Sequence, residues 1–347
     1  MRKTTKTWLI IAASLVLIGC ALFVGVLSML RWDLTKLSTV KYETNTYGID
    51  EAFDSISMNT DTADIMLAIS NDEKCTVTCC EEENAKHSVA VKDGILTVEL
   101  IDERSFSDYI QHIGFNIGSP KITIYLPKTE YASLLIREDT GDVEISKDFM
   151  FKNVEISLST GDVDFCASTS EMIKIKTSTG NIRVENISAG ALDLSVSTGK
   201  VTALNVICQD HVTVGVSTGK ANLADIACKS VISKGSTGDI SLDNVIAAEK
   251  ISIERSTGDV KFNRCDAAEI YVKTDTGDIT GSLLSDKVFI TQTDTGGVDV
   301  PKNETGGRCE IISSTGNIKI TVVQLGELNQ NSKKILNSEV VPYTRTV

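Results

Sequence analysis

The sequence has little proline, with four residues in 347, and only 5% of its residues are aromatic. Three histidines, His87, His112 and His211, are scattered, and no Cys-x-x-Cys occurs. Few large rings argue against a thick globular core, and the missing ligand spacing argues against zinc held by a local motif. Basic charge is short as well. The net charge of −13 leaves no cluster of Lys and Arg to meet phosphates, which excludes nucleic acid as a partner. The nine cysteines are dispersed; Cys79 and Cys80 are adjacent, and Cys20 lies in an apolar run. What is abundant is Val, Ile, Thr and Ser, the composition of thin β-layers.

From Trp8 to Leu30 the chain carries no charge. About 20 apolar residues span the roughly 30 Å hydrocarbon core of a bilayer, so a transmembrane anchor is expected over residues 8–31. Trp8 and Trp32 fall where interfacial aromatics belong. Arg2, Lys3 and Lys6 precede the span while Arg31, Lys36 and Lys41 follow it, nearly balancing the positive-inside comparison. The large acidic part downstream favours a single-pass protein of the cell membrane with its C-terminal domain extracytoplasmic. Leu17-Ile18-Gly19-Cys20 also matches a bacterial lipobox, which makes Cys20 a candidate lipidation site. A cleaved secretory signal is the third reading, although its apolar core would be shorter.

Internal periodicity decides the rest. Thr-Gly recurs in steps of 19 or 20, with its glycine at Gly141, Gly161, Gly180, Gly199, Gly219, Gly238, Gly258, Gly277, Gly296 and Gly316. Thr305-Gly306 is out of register. Two residues after the glycine stand Val143, Val163, Ile182, Val201, Ala221, Ile240, Val260, Ile279, Val298 and Ile318; four after it and seven before it are further apolar columns. The positions between are mostly polar. This period of two marks strands with one buried face, and helical spacing is absent. The fold expected is all-β: a single parallel β-solenoid of about ten coils, preceded by one transmembrane helix. Each coil is read as two short strands joined by the Thr-Gly turn and a second bend. At about 4.8 Å per coil the rod is about 45–50 Å long. Glycine suits a turn position at positive φ, and the Ser or Asp two before it can bond turn amides.

The expected domains are a tail (1–7), the anchor (8–31), a linker (32–41), a degenerate β capping region (42–130) with an insertion at 102–120, the repeat solenoid (131–321), and a C-terminal cap or tail (322–347). Asp61-Thr62-Ala63-Asp64-Ile65 echoes the repeat with Ala63 at the glycine position.

No motif carries obvious chemistry, and no cofactor is expected. Asp139-Thr140-Gly141, Asp275-Thr276-Gly277 and Asp294-Thr295-Gly296 match the aspartic-protease triplet, but the other seven copies have Ser in place of Asp. The position after glycine forms a column in which Asp239, Asp259 and Asp278 stand on adjacent coils. These three are the calcium candidates, since a hard cation could bridge stacked carboxylates; a solvated acidic row is the alternative. The ten threonines before glycine read as turn chemistry and not as an ice-binding row. Cys208 and Cys228 share a column with Ala189, Ala247 and Ala267 and read as small buried fillers, and Cys265 replaces Ile or Val in another column.

The N-terminal apolar run, the FDSISMNTDTADI segment and the iterated STGD, STGN and STGK turns resemble a bacterial family of β-strand-repeat proteins. That family, a domain of unknown function, carries an adhesin label. The resemblance covers about residues 42–321 and implies no catalytic residue. The expected function is a non-enzymatic, membrane-anchored cell-surface solenoid, an adhesin or envelope binding scaffold whose partner is a surface protein or polymer. The alternative is a single-span envelope sensor acting through a membrane partner. A polysaccharide-acting β-helix enzyme comes third, disfavoured by the scarcity of aromatics in the array.

Overall fold

The structure, a computed structural model, describes residues 3–29, 31–32, 41–102 and 119–323. The core of the 102–120 insertion, the linker over 33–40 and the C-terminal stretch 324–347 lie outside the described residues. Lys3–Met29 is one α-helix. From Trp8 to Met29 it is long and apolar enough to cross a membrane, and its apolar side chains are almost all exposed.

The rest is a parallel β-solenoid. Equivalent residues of successive coils pair side by side: Leu192 with Val212, Val196 with Val216, Gly199 with Gly219, and Val201 with Ala221. Each apolar column therefore becomes an internal ladder. Val163, Ile182, Val201, Ala221, Ile240, Val260 and Ile279 are all buried to 1% exposure or less. Interior space is narrow, so β-branched and small residues fill most of it. Phe151, Phe165 and Phe262 are the large side chains enclosed within it, with Tyr131 near one end.

The five central coils have three straight segments, where two were expected. Ile182 and Val184 face inward, but the next inward residues are Ile187 and Ala189, so the alternation slips by one. The slip falls at Asn186, which has φ +57°. The same position six after the turn glycine holds Asn205, Asp225, Asn244 and Arg264, all at φ between 51° and 53°. Asparagine and aspartate tolerate this left-handed conformation better than other L-residues. The corner is also tied along the rod: Asn205 Nδ2 donates to Asn186 Oδ1 (2.7 Å), and Asn244 Nδ2 to Asp225 Oδ1 (2.6 Å).

At both ends the coils leave chain order. Residues 307–322 insert between the 269–283 coil and the 287–299 coil. Ile270 pairs with Cys309, Cys309 with Phe289, and Ile279 with Ile318. Val298, in the coil that ends the rod, is 46% exposed, whereas Ile318 beneath it is fully buried. After Leu283 the chain must climb two coil rises, roughly 10 Å, which three extended residues can span. Lys287, itself buried, fixes the crossing through an ion pair with the half-buried Asp266 (2.6 Å). The out-of-register glycine lies on the way back. A Cβ on Gly306 would sit 2.1 Å from the Asp286 carbonyl oxygen, so only glycine lets the strand slot in there.

The N-terminal end mirrors this. Residues 55–69 lie between the 130–145 coil and the coil made of 95–102 and 121–126. Residues 42–130 thus supply two coils as well as a cap. The cap is antiparallel: Tyr42–Ile49 pairs with Cys75–Glu82, which pairs with Lys121–Leu126, while Ala85–Lys92 pairs with Ile95–Asp102. The last hairpin turns through Asp93 (φ 51°) and Gly94 (φ 76°), the left-handed pair that a two-residue hairpin loop needs. Such a cap removes the edge on which further chains could pair.

Candidate functional site

The Thr-Gly edge is the most regular external feature. Along it the Gly161 amide donates to the Thr179 carbonyl (2.9 Å) and the Gly180 amide to that of Thr198 (3.0 Å), a bond repeated down the rod. The carboxylates after glycine are engaged in the same way. Asp142 Oδ1 accepts the Asp162 amide (2.8 Å), Asp162 Oδ1 the Asn181 amide (2.7 Å), and Asn181 Oδ1 the Lys200 amide (3.1 Å). Farther along, Asp239 Oδ1 accepts from Asp259, Asp259 Oδ1 from Asp278 (2.8 Å), and Asp278 Oδ1 from Asn317 (2.7 Å). Each side chain therefore closes an amide of the next coil, which explains why Asp and Asn interchange there. The bond to the Asp259 amide, with Lys220 alongside at 3.1 Å, holds the Asp239 carboxyl below its usual range.

The three calcium candidates stack on successive coils, yet they do not converge. The described residues contain one set of three or more ligand-type side chains with donor atoms within 4.8 Å of one another, and it lies elsewhere, in the cap. Asp259→Ala is expected to lose one amide acceptor and about 1 kcal/mol of stability, while Asp259→Asn keeps the acceptor and stays near wild type. Thermal unfolding of the two variants checks this; equal losses would mean that charge matters and not the bond. Asp139, Asp275 and Asp294 of the Asp-Thr-Gly triplets all point outward on separate coils. Cys20 is exposed on the helix, Cys208 and Cys265 are buried, Cys228 is half-buried, and all are free thiols.

Polar groups inside the rod were not legible as such. Arg255 is buried, donating to the Val216 carbonyl and Ser233 Oγ (2.8 Å). Glu138, three before the first turn glycine, is 3% exposed in a column that elsewhere holds Leu158, Val196 and Val216. Its Oε1 accepts the Ala63 amide (3.0 Å), and its Oε2 has no hydrogen-bond partner. It borders an open groove of about 480 Å³ together with Asn59, Asp61, Arg137 and Asp139. Burial, reinforced by Asp61 and Asp139, pushes its carboxyl up to about 8 despite amide bonds that lower it. Folding therefore takes up a proton between about pH 4.5, where the unfolded side chain titrates, and about 8. Stability is expected to fall as pH rises across that window and to level off on either side. Glu138→Gln should flatten this slope and melt above wild type at pH 8; a wild-type melting temperature unchanged from pH 5 to 8 would refute the assignment.

In the cap, Cys79 and Glu81 face inward from one strand and His87 from the next, all three buried. Glu81 Oε2 accepts the His87 backbone amide (2.6 Å) and Nδ1–H (2.8 Å), and Oε1 accepts Asn45 Nδ2 (2.7 Å). The sequence signal was an inward Cys-x-Glu pair followed by a short turn and a histidine, visible only once the hairpin pairing is known. Two further concavities are open to solvent. One of about 550 Å³ is lined by residues such as Asp243, Lys261 and Phe262, and one of about 400 Å³ by residues such as Ala247, Asp266 and Lys287. None of them brings a nucleophile, a base and an orienting group together.

A single-chain parallel β-solenoid with an apolar N-terminal helix is thus the class of protein. The chain belongs to the Toastrack DUF4097 family, which it matches over residues 53–210 and 206–335. No curated protein sequence matches it. Among solved structures it is similar to a "putative lipid binding protein" from Parabacteroides distasonis, at 18% identity and a TM-score of 0.47, covering 80% of this chain and 97% of that one. It is also similar to a "putative adhesin" from the same organism (12%, TM-score 0.43, 80% and 97% covered) and one from Bacteroides fragilis (18%, TM-score 0.39, 81% and 97% covered). At these identities and scores the likeness carries no function across.

Proposed function

We propose that this protein is a non-enzymatic, membrane-anchored surface protein that presents its solenoid as an extended binding scaffold, in the manner of an adhesin. The observation that supports this most is the outer Thr-Gly edge. There, exposed side chains such as Ser197 with Thr198, Ser217 with Thr218 and Ser236 with Thr237 repeat on coil after coil over a rigid backbone. Regular rows of hydroxyls and strand faces suit a repeating polymer or a broad protein surface better than a small substrate. A catalytic reading would need converging acid, base and nucleophile, which the open grooves do not offer. The helix over 8–29 acts as an uncleaved anchor with the solenoid outside the cell.

The test uses intact cells expressing the full chain. Surface proteolysis should remove the solenoid while leaving the helix in the membrane fraction, and purified envelope glycans or whole cells should retain the detergent-solubilised protein. Retention by a membrane protein alone, with no binding to envelope material, would instead make it the sensor of a signalling pair. Mass spectrometry of the mature N-terminus decides among anchor, cleavage and lipidation at Cys20.

A further inference from the structure

The buried cap cluster is built like a metal site. We propose that Cys79, Glu81 and His87 bind one borderline-soft divalent cation, zinc being the best fit, and that this ion clamps the N-terminal cap of the solenoid.

The donor set is a thiol, a carboxylate and an imidazole, with one ligand atom from each within 4.8 Å of the others. Sulfur with nitrogen selects zinc over calcium or magnesium, which take oxygen ligands only. All three side chains are buried: Cys79 and Glu81 completely, His87 to 5% exposure. Position is set by rigid elements. Cys79 and Glu81 alternate on strand 75–82, whose two neighbours hold it on both sides, and His87 follows a short turn. A supporting contact is already in place, because Asn45 Nδ2 steadies the second oxygen of Glu81. Outer contacts of this kind orient metal ligands.

Charge balance favours the ion. A divalent cation, one thiolate, one carboxylate and a neutral imidazole sum to zero, which suits a buried apolar end better than an isolated charge does. Binding forms the metal–sulfur, metal–oxygen and metal–nitrogen bonds. It releases the Cys79 thiol proton to solvent; the neutral imidazole binds through one ring nitrogen and keeps its proton on the other, and where Nδ1 is the ligand its hydrogen bond to Glu81 Oε2 is given up. Beside His87 lies a cavity of about 20 Å³, bordered by Asp61, Leu100 and Pro120. That is room for a single water beside His87, the one residue of the cluster in its lining.

The ion would link two strands of the cap that share only one paired position, Glu82 with Ala85. Its effect should therefore be local stabilisation of the end that prevents further chains from pairing.

The experiment uses the full chain in detergent, with thiols reduced and metal removed by a chelator. Cobalt(II) is titrated as a spectroscopic stand-in and zinc as the native ion. Expected are saturation at one equivalent, a sulfur-to-cobalt charge-transfer band with tetrahedral visible absorption, and a zinc-dependent rise in melting temperature that magnesium does not produce. Cys79→Ser should weaken zinc by at least about 100-fold and abolish the band, His87→Asn should weaken zinc by at least about 10-fold, and Cys80→Ala should do neither. No stoichiometric cobalt spectrum in the wild type, or a band that survives Cys79→Ser, overturns the proposal and leaves Glu81 and His87 as a structural hydrogen-bonded pair. If Cys79→Ser does not fold, the wild-type and His87→Asn titrations still decide the matter.

Discussion

Replacing Gly219 with valine is expected to cost more than about 4 kcal/mol and to split the melting of the rod into two transitions. Two effects add at this position. The backbone sits at φ +139°, which by itself costs an L-residue about 1–3 kcal/mol. A Cβ there would also lie 1.7 Å from the carbonyl oxygen of Gly199 and 2.8 Å from its carbon. Both contacts are backbone atoms of the neighbouring coil, held in the ladder, so no flexible side chain can move aside. Relief requires separating the two coils, which breaks the pairings from Leu192–Val212 through Val201–Ala221. Gly199 stands in the same relation to Gly180, at 1.8 Å, and Gly199→Val should behave alike. Ser217→Ala, an exposed change on the same edge, should stay within about 0.5 kcal/mol of wild type. Circular dichroism melting of the three variants is sufficient; an unchanged melt for both valine variants would refute the turn geometry.

Truncation after Gly306 should cost the rod two coils and not one: the coil removed and the end coil that pairs only with it. Residues 287–295 and 298–299 pair only with 307–315 and 318–322 among the described residues. Removing the inserted coil therefore leaves 287–299 without a partner strand, while 269–283 keeps its other neighbour at 260–265 and 250–257. Hydrogen exchange should show amides across 287–299 falling to the free-chain rate, with 269–276 retaining most of its protection. A second truncation, after Val323, keeps every described partner of 287–299 and should leave those residues protected. Protection of 287–299 in the shorter protein would mean that this coil can stack directly on 269–283 and does not depend on the inserted one.

Legibility in the sequence depended on repetition. The turn glycines, the inward apolar columns and the alternating strands recur ten times, and each recurrence reduces the chance of misreading a single coil. The second corner was less visible: Asn186, Asn205, Asp225 and Asn244 share a column, but surface Asn and Asp are common enough to pass as solvated positions. The cap was partly readable, since Asp93-Gly94 between two strand-like runs is a hairpin signal. The Cys79–Glu81–His87 cluster was not, because its spacing reflects an antiparallel pairing that no repeat announces.

The sequence by itself determined that this protein is a parallel solenoid, because a fixed period of 19 or 20 residues allows only stacking in register to bury every inward column. It could not determine the order of the coils at the ends. Inward columns of adjacent repeats are chemically alike, so Ile279 packs as well on Ile318 as on Val298, and local preference is the same for either order. Only the tertiary structure decided it, through contacts between residues far apart in the chain. Lys287 reaches Asp266, and Gly306 and Gly307 pass close against the backbones of Asp286 and Ala268, so the last coil fits one place inside the end.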